Sequence, residues 1–194
     1  MFRTKFYYGV DLDLELLEQG LARYEDETTF GIHADLAKLE AIPDNSADVV
    51  VSTNTLYQLE SESQKKALAH LCRIVRSDGK FICQLDLGPD LETLLSIIRS
   101  NFLRVKIRYY RNPISRFYEW IFEQDGFLGS HPIAGRRPFR LLAWLLSRLE
   151  FLTWRSARGN RRALIVGSQK IGEPANQVFD LSAMPLKDRI YQLT

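Results

Sequence analysis

Short apolar runs alternate with amphipathic stretches through the first half of the chain. The runs are rich in β-branched and aromatic residues and have the length of strands. They lie at 6–10, 28–33, 47–52 and 80–87. Two stretches between them, near 13–24 and 61–75, carry apolar residues at helical spacing. This order predicts an α/β fold, with a mostly parallel sheet and helices on both faces.

The second half has a different pattern. Residues 90–104, 113–124 and about 137–150 read as helices, and a loop spans 125–135. Two strand-like runs flank Gly159-Asn160, which predicts an antiparallel hairpin within 151–169 at one edge of the sheet. We therefore expect one domain over 1–170 and a C-terminal tail, 171–194, on its surface.

Bulk properties agree with one globular domain. The chain has 194 residues, 45% of them hydrophobic, and its longest apolar run, 141–146, is far too short to span a bilayer. The first residues have no apolar signal-peptide core. Two cysteines support neither a disulfide framework nor a structural zinc site. We expect a cytoplasmic protein.

Charge is distributed unevenly along the chain. Residues 1–98 carry nine Lys/Arg against seventeen Asp/Glu, whereas residues 99–162 carry fourteen against four. The two regions are therefore expected to face different partners.

An acid follows each of the first two predicted strands. Asp11 ends the first, and Asp13 is placed to cap the helix that follows; Asp35 comes after the second. Open α/β sheets use an acid in this position to hold the ribose of a nucleotide cofactor. The simpler alternative is that Asp11 is a loop acid and Asp35 a turn former.

Three motifs in order carry a family resemblance. They are Ala34-Asp35-Leu36, the run from Asp48 to Ser52, and Arg73-Ile74-Val75-Arg76-Ser77-Asp78-Gly79. Together they resemble the class I methyltransferases that use S-adenosylmethionine, over about residues 5–87. The resemblance implies a Rossmann-like sheet and a helical insertion after the family's fifth strand.

The resemblance also implies roles for particular residues. Asp11, with Leu12 beside it, would hold the ribose hydroxyls of S-adenosylmethionine. Asp35 would hold the adenine amino group, and Leu36 would donate its backbone N–H to a ring nitrogen. Asn54 is a candidate for the methionine end of the cofactor.

One family feature has no counterpart in the sequence. No Gly-x-Gly occurs in the 194 residues, so the family's first strand and its glycine-rich loop are not matched. We expect a domain shortened at its N-terminus, completed by a further N-terminal segment or a second subunit, and weak cofactor binding by this chain. The strands at 6–10 and 47–52 should then pair directly, because unpaired buried backbone groups are costly.

Candidates for the acceptor site are less specific. Tyr57, Asp86 and His131 are predicted to line the cleft. Residues 88–136 are predicted to form a helical lid in which basic and aromatic side chains alternate, Arg108 and Arg111 among them. Such a lid suits a small-molecule or lipid-like acceptor, or contact with a membrane surface. Stacking on single-stranded nucleic acid is a further alternative, disfavoured because no RNA-binding module accompanies the lid. A solvated basic face over a packed aromatic stripe is the simpler alternative.

Three functions follow from these patterns. The first is S-adenosylmethionine-dependent methyl transfer, which needs a positioned acceptor more than a catalytic triad. The second is a methyltransferase-like remnant that acts only as a binding or scaffold partner. A nicotinamide-dependent oxidoreductase is disfavoured because its glycine fingerprint is missing.

Overall fold

A computed structural model describes residues 6–24, 27–122, 137–172 and 176–193. Strands and helices alternate through the first half, as the sequence predicts. The elements are β1 (Tyr7–Asp11), α1 (Leu14–Ala22), β2 (Thr29–His33), β3 (Ala47–Ser52), a short 3₁₀ turn (Leu56–Gln58), α2 (Ser61–Ile74), β4 (Val75–Asp86), α3 (Leu91–Asn101), β5 (Phe102–Tyr110), α4 (Pro113–Phe122), α5 (Arg137–Thr153), β6 (Arg162–Lys170), β7 (Leu186–Lys187) and β8 (Ile190–Gln192).

The strands of the described residues form two four-stranded sheets. The first sheet has the order β1-β2-β8-β7, and the second has the order β3-β4-β6-β5. β1, β2 and β8 run parallel, as do β3 and β4, whereas β6 pairs antiparallel with both β4 and β5. The predicted α/β class, with parallel strands and an antiparallel edge, is confirmed.

β1 and β3 are the end strands of different sheets. We expected these two strands to pair directly, and that expectation is wrong: within the described residues β1 pairs with β2 alone and β3 with β4 alone. The sheet is instead divided into two.

One hydrophobic core nevertheless joins the two sheets. It contains Ile32 of β2 and Phe81 of β4, each 0% exposed, together with Leu39 and Ile42 from the segment that links β2 to β3. Helices α2 and α3 add six further side chains with 2% exposure or less: Ala67, Leu68, Cys72, Leu94, Leu95 and Ile98. Burying each large apolar side chain contributes about 1.5–3 kcal/mol, so both sheets depend on the same core.

The start of α1 is fixed by its cap, as predicted. Asp13 Oδ1 accepts the backbone N–H of Glu15 at 2.9 Å and of Leu16 at 3.2 Å. The buried face of the helix then packs against β2 at Gly31, where an added Cβ would lie 3.1 Å from Ile190 and 3.4 Å from Leu21. The small residue lets the helix approach the strand closely.

Only the second half of the predicted hairpin is a strand. β6 lies where the sequence places it, but residues 151–153 are the last turn of α5, and β6 takes β4 and β5 as neighbours. The run Phe151-Leu152-Thr153-Trp154 has strand-like composition. However, it continues the leucine-rich helix that precedes it, and that context decides its conformation.

The predicted helical lid contains a strand. β5 lies inside the range 88–136, between α3 and α4, and residues 123–136 lie outside the described part of the chain. Along β5, exposed Arg104, Lys106 and Arg108 alternate with Val105 and Ile107, which pack on the core. This period of two is typical of a strand with one solvated face.

The C-terminal residues join the first sheet. β8 lies parallel to β2, and Ile190 is 3% exposed. Residues 186–192 are therefore strands and their turn rather than a surface segment, while a domain boundary at residue 170 stays a prediction.

Candidate functional site

The end of β1 carries the first candidate carboxylate. Asp11 Oδ1 accepts the N–H of Asp13 at 3.0 Å, and no described residue donates to the other carboxylate oxygen. The Asp11 backbone carbonyl accepts the N–H of Ala34 at 3.0 Å, which ties the end of β1 to the residue before Asp35. Asp11 and Asp35 thus follow adjacent strand ends.

Asp35 holds the turn after β2. Its Oδ1 accepts the N–H of Ala37 at 2.9 Å, and its Oδ2 lies 3.9 Å from Lys38 Nζ. The ion pair contributes little because Lys38 is exposed, whereas the backbone contact orients the carboxylate. Leu36 is partly buried against the core, which fixes its backbone. Asp35 therefore forms the turn and keeps a solvent-accessible oxygen.

His33 connects this region to the C-terminal strand. Its Nε2 lies 3.0 Å from the Leu12 carbonyl, and its Nδ1 lies 2.7 Å from Gln192 Oε1. Since a carbonyl only accepts, Nε2 carries a proton. We call Asp11, Leu12, His33, Asp35 and Leu36 the β1–β2 group; an open groove beside it is lined by Asp11, Leu12, Asp13, Leu14, Glu15 and His33.

A second group lies at the carboxyl ends of β3 and β4. Asn54 has φ 59°, in the left-handed region that asparagine tolerates. Its Oδ1 accepts hydrogen bonds from Gln84 Nε2 at 3.0 Å and from Arg162 at 3.2 Å. Two donors on one oxygen hold the Asn54 side chain in a defined orientation.

Arg162 also contacts Tyr57 and Asp86, so three predicted site residues meet at one guanidinium. Its Nε lies 3.2 Å from Asp86 Oδ1, and its central carbon lies 5.1 Å from the Tyr57 ring centroid. Burial raises the pKa of Tyr110, and Arg162, which hydrogen-bonds to Tyr110, acts in the opposite direction. We call Asn54, Tyr57, Gln84, Asp86 and Arg162 the Arg162 cluster.

Arg162 and Gln84 belong to no motif that the sequence shows. The pairing of β4 with β6 brings them into the site, because Asp86 lies opposite Arg162. Gln84, two residues before Asp86 on the same strand, lies opposite Leu164. Once β6 is taken as the partner of β4, an arginine at its first position falls beside the acid that ends β4. The signal in the sequence was an arginine at the start of an apolar strand, after a Gly-Asn turn.

The remaining acceptor candidates lie elsewhere or outside the described residues. Arg108 is on β5, with its guanidinium carbon 5.1 Å from the Trp154 ring centroid. Arg111 follows β5 with φ 66°. His131 lies outside the described residues. The roles predicted for all three stay predictions.

Comparison with known families locates the resemblance in the first half of the chain. A methyltransferase domain model matches residues 2–83. A protein of Haemophilus influenzae, described only as uncharacterized, is 28% identical over 133 residues, which are 66% of this chain and 51% of that protein. The chain thus spans about half the length of this relative.

Solved structures with a similar fold extend over most of the chain. The [4+2]-cyclase SpnF has a TM-score of 0.52 at 16% identity, covering 86% of this chain and 68% of that one. Phosphoethanolamine N-methyltransferase 2 of Haemonchus contortus, in complex with S-adenosyl-L-methionine, has a TM-score of 0.53 at 17% identity, and the match covers 84% of this chain and 43% of that one. A TehB-like methyltransferase of Corynebacterium glutamicum has a TM-score of 0.53 at 15% identity, and the match covers 85% of this chain and 68% of that one.

These structural likenesses establish the fold, and the family model adds the sequence relationship. The matched residues 2–83 contain β1 to β3, α2 and most of β4, with Asp11, Asp35 and Asn54 among them. The Haemonchus contortus and Corynebacterium glutamicum proteins are methyltransferases, and the domain model that matches residues 2–83 is also a methyltransferase model. Residues 2–83 therefore match a methyltransferase domain, and the fold of the chain is similar to that of methyltransferases of known structure.

Proposed function

We propose that this chain binds S-adenosylmethionine at the β1–β2 group and transfers its methyl group to an acceptor held at the Arg162 cluster. One observation carries the proposal. The two groups follow the carboxyl ends of β1, β2, β3 and β4, which is where open α/β sheets bind their ligands.

The residues of the β1–β2 group suit the adenosine half of the cofactor. Asp11 keeps one carboxylate oxygen without a donor among the described residues, and Asp35 keeps an accessible one. Carboxylates accept hydroxyl and amino donors with charge-assisted hydrogen bonds, worth about 1.5–3 kcal/mol each. His33 holds the Leu12 carbonyl, so the chain around the groove is fixed before a ligand arrives.

The Arg162 cluster suits an anionic or polar acceptor. S-adenosylmethionine supplies a methyl group on a sulfonium, and transfer is an in-line displacement in which positioning of the nucleophile does much of the work. Arg162 is held by Asn54 and Asp86, and its side chain remains 20% exposed. A guanidinium fixed in this way can bind an acceptor carboxylate or phosphate and orient it.

We infer that the acceptor is a small molecule or a lipid-like molecule. Helices α4 and α5 expose large apolar side chains, including Phe117 (62%), Trp120 (64%) and Trp144 (53%). Arg148 lies with its guanidinium carbon 5.2 Å from the Trp144 ring centroid. Exposed tryptophans beside arginines are typical of surfaces that contact the membrane interface.

Peripheral contact is the form of membrane binding that we propose. In the described part of the chain, no helix combines the length and apolarity needed to cross a membrane. We place the protein in the cytoplasm, and its free, buried Cys72 and Cys83 support this assignment because thiols stay reduced there.

Binding of S-adenosylhomocysteine, followed by amide NMR, tests the proposal. We expect weak binding, with shifts concentrated at Asp11–Asp13 and Asp35–Leu36. Asp11→Ala should remove most of the response, since it deletes the carboxylate proposed to hold the ribose. Asp78→Ala, at an exposed acid near the start of β4, is the control and should leave the response unchanged.

Two results would count against this function. One is an absence of shifts near Asp11 and Asp35 at millimolar ligand. The other is an equal response from the wild type and Asp11→Ala. Either would leave the chain with the family's fold and without its cofactor site.

A further inference from the structure

Exposed leucines share one face of α5. At 3.6 residues per turn, positions 141, 142, 145, 149 and 152 fall within an arc about 100° wide, which we call the leucine face. All five side chains are exposed: Leu141 58%, Leu142 39%, Leu145 47%, Leu149 45% and Leu152 76%. A helix on the surface of a globular protein ordinarily turns its apolar stripe toward the core. The leucine face is exposed instead, which is typical of a surface that binds a partner or a membrane.

Arginines border the leucine face on one side. Arg137, Arg140 and Arg148 fall within the neighbouring arc, about 80° wide, and all three are exposed. Trp144 and Phe151 fall between them on the same arc and are also exposed. The sequence from 137 to 162 contains seven arginines and one acidic residue, so the border has an excess of positive charge.

The basic border continues from α5 to β5. The ring centroid of Trp154, just after α5, lies 5.1 Å from the guanidinium carbon of Arg108 and 5.0 Å from that of Arg155. The Tyr109 N–H donates to the Trp154 carbonyl at 2.8 Å, which ties the end of α5 to β5. Cations from both elements therefore meet at one tryptophan ring.

Two buried asparagines fix the end of α5 to the rest of the fold. Asn160, 8% exposed, donates from Nδ2 to the carbonyls of Thr153 at 3.1 Å and of Ser156 at 2.7 Å. Asn112, 4% exposed, donates from Nδ2 to Thr153 Oγ1 at 3.2 Å. Asn160 stands two residues before Arg162, so the end of α5 is held close in the chain to the Arg162 cluster.

We propose that α5 lies in the plane of an anionic membrane surface, with its leucine face inserted at the boundary between headgroups and acyl chains. The arginine border then binds the lipid phosphates, for which a guanidinium is well suited. The inference rests on the peripheral contact in the proposed function and deepens it, because it names the helix that inserts and the charge of the lipid. It also brings the Arg162 cluster toward the headgroups.

A lipid surface fits the charge of this region better than a second copy of the chain does. When two α5 helices pack antiparallel about a two-fold axis through their leucine faces, both arginine borders fall on the same side of the interface. Like charges placed together in this way oppose association. An anionic bilayer supplies apolar chains for the leucines and phosphates for the arginines at the same time.

Sedimentation of the full chain with lipid vesicles tests the inference. One set of vesicles is phosphatidylcholine alone, and the other also contains about 30% phosphatidylglycerol, which makes the surface anionic. We expect binding to the anionic vesicles to be at least about tenfold tighter. Arg140→Gln with Arg148→Gln should remove most of this preference. Lys38→Gln with Lys66→Gln removes the same charge from exposed lysines elsewhere and should leave the preference in place.

Insertion of the leucine face is tested separately. Leu145→Glu with Leu149→Glu should weaken binding to anionic vesicles at least about tenfold, because it places two carboxylates in the inserted face. Val178→Glu with Leu186→Glu is the matched control, since it adds the same charge at exposed apolar side chains outside α5. Leu145→Trp with Leu149→Trp should strengthen binding, a result that a misfolded variant would not give.

Three results would overturn the inference. The first is binding to anionic vesicles that is absent or no tighter than binding to phosphatidylcholine alone. The second is an equal loss in the Leu145–Leu149 glutamate variant and its control. The third is a dimer in solution that this variant dissociates, because a second copy would then cover the leucine face. The NMR response to S-adenosylhomocysteine is measured without vesicles, so its failure would overturn the cofactor site and leave membrane binding intact.

Discussion

Arg162 and Asp86 lie directly opposite each other across the antiparallel pair β4–β6, and Arg162 Nε is 3.2 Å from Asp86 Oδ1. β4 ends at Asp86 and β6 begins at Arg162. The Asp86 side chain is 49% exposed, so the ion pair itself contributes only about 0.2–1 kcal/mol. The main effect of the ion pair is to orient the Arg162 guanidinium, which then contacts Asn54 and lies over the Tyr57 ring.

We predict that Arg162→Ala lowers the free energy of unfolding by about 1–2 kcal/mol, since Asn54 loses one donor and Asp86 loses its partner. The same change should shift the NMR signals of Asn54 and Tyr57. Arg161→Ala removes the neighbouring, exposed arginine side chain and should cost less than about 0.5 kcal/mol. Urea unfolding of the two variants checks this, and equal losses would contradict the positioning role of Arg162.

A second prediction concerns Gly167, which lies under the ring of Phe102. A Cβ at this position would lie 2.8 Å from the ring, closer than side-chain contacts allow. Gly167→Ala should therefore destabilise the protein by about 1–3 kcal/mol through overpacking. Gly20→Ala is the matched control, because a Cβ there meets nothing within 4 Å, and it should stabilise α1 by about 0.5–1 kcal/mol.

A double-mutant cycle between Gly167 and Phe102 provides a second test of this prediction. If the clash is the cause, Phe102→Leu should relieve part of the penalty, and the double variant should be more stable than the sum of single effects predicts. Additive losses in thermal unfolding would show that the penalty at Gly167 has another origin.

The strongly patterned elements of the fold could be predicted from sequence. β1, β2, β3 and α1 are bounded within one or two residues of their predicted limits, and Asp13 caps α1. β5 is absent from the sequence-based prediction. The basic and aromatic composition of this segment suggested a helical lid, whereas its period of two is that of a strand. The division of the sheet depends on pairing between distant segments. A strand's own sequence does not encode that pairing.

The candidate site was predictable only in part. Asn54, Tyr57 and Asp86 were identified by their positions after strands, and Arg162 joins them. Arg162 itself was missed, because its relation to Asp86 follows from the β4–β6 register across 76 residues of chain, 86 to 162. Residues at the ends of strands can be predicted from the local sequence, whereas their partners on a neighbouring strand cannot.

A third prediction concerns the two cysteines. Cys72 and Cys83 are both 0% exposed. Burial raises the pKa of the Cys72 thiol to about 12 and raises that of Cys83 as well. A raised pKa keeps a thiol protonated, so at pH 8 very little of Cys72 carries the reactive thiolate.

Both thiols should therefore resist an aromatic disulfide reagent in the folded protein and react fully in guanidinium chloride. The rate at pH 8 should follow unfolding and not reagent concentration. Rapid titration of one thiol in native protein would show that one of these side chains is accessible.

The last prediction concerns the basic row on β5, which consists of the exposed side chains of Arg104, Lys106 and Arg108. If the protein contacts an anionic membrane, each cation near the surface contributes about 1 kcal/mol. Replacing all three by alanine should thus weaken binding to vesicles with anionic lipid by about 100-fold, while S-adenosylhomocysteine binding stays unchanged. The effect should shrink at high salt, because the Debye length falls from about 10 Å at 0.1 M to about 3 Å at 1 M.

Replacing three exposed lysines elsewhere, Lys38, Lys66 and Lys187, is the matched control. Vesicle sedimentation measures both variants, and an equal loss in the two would mean that binding responds to net charge alone and that β5 has no special role.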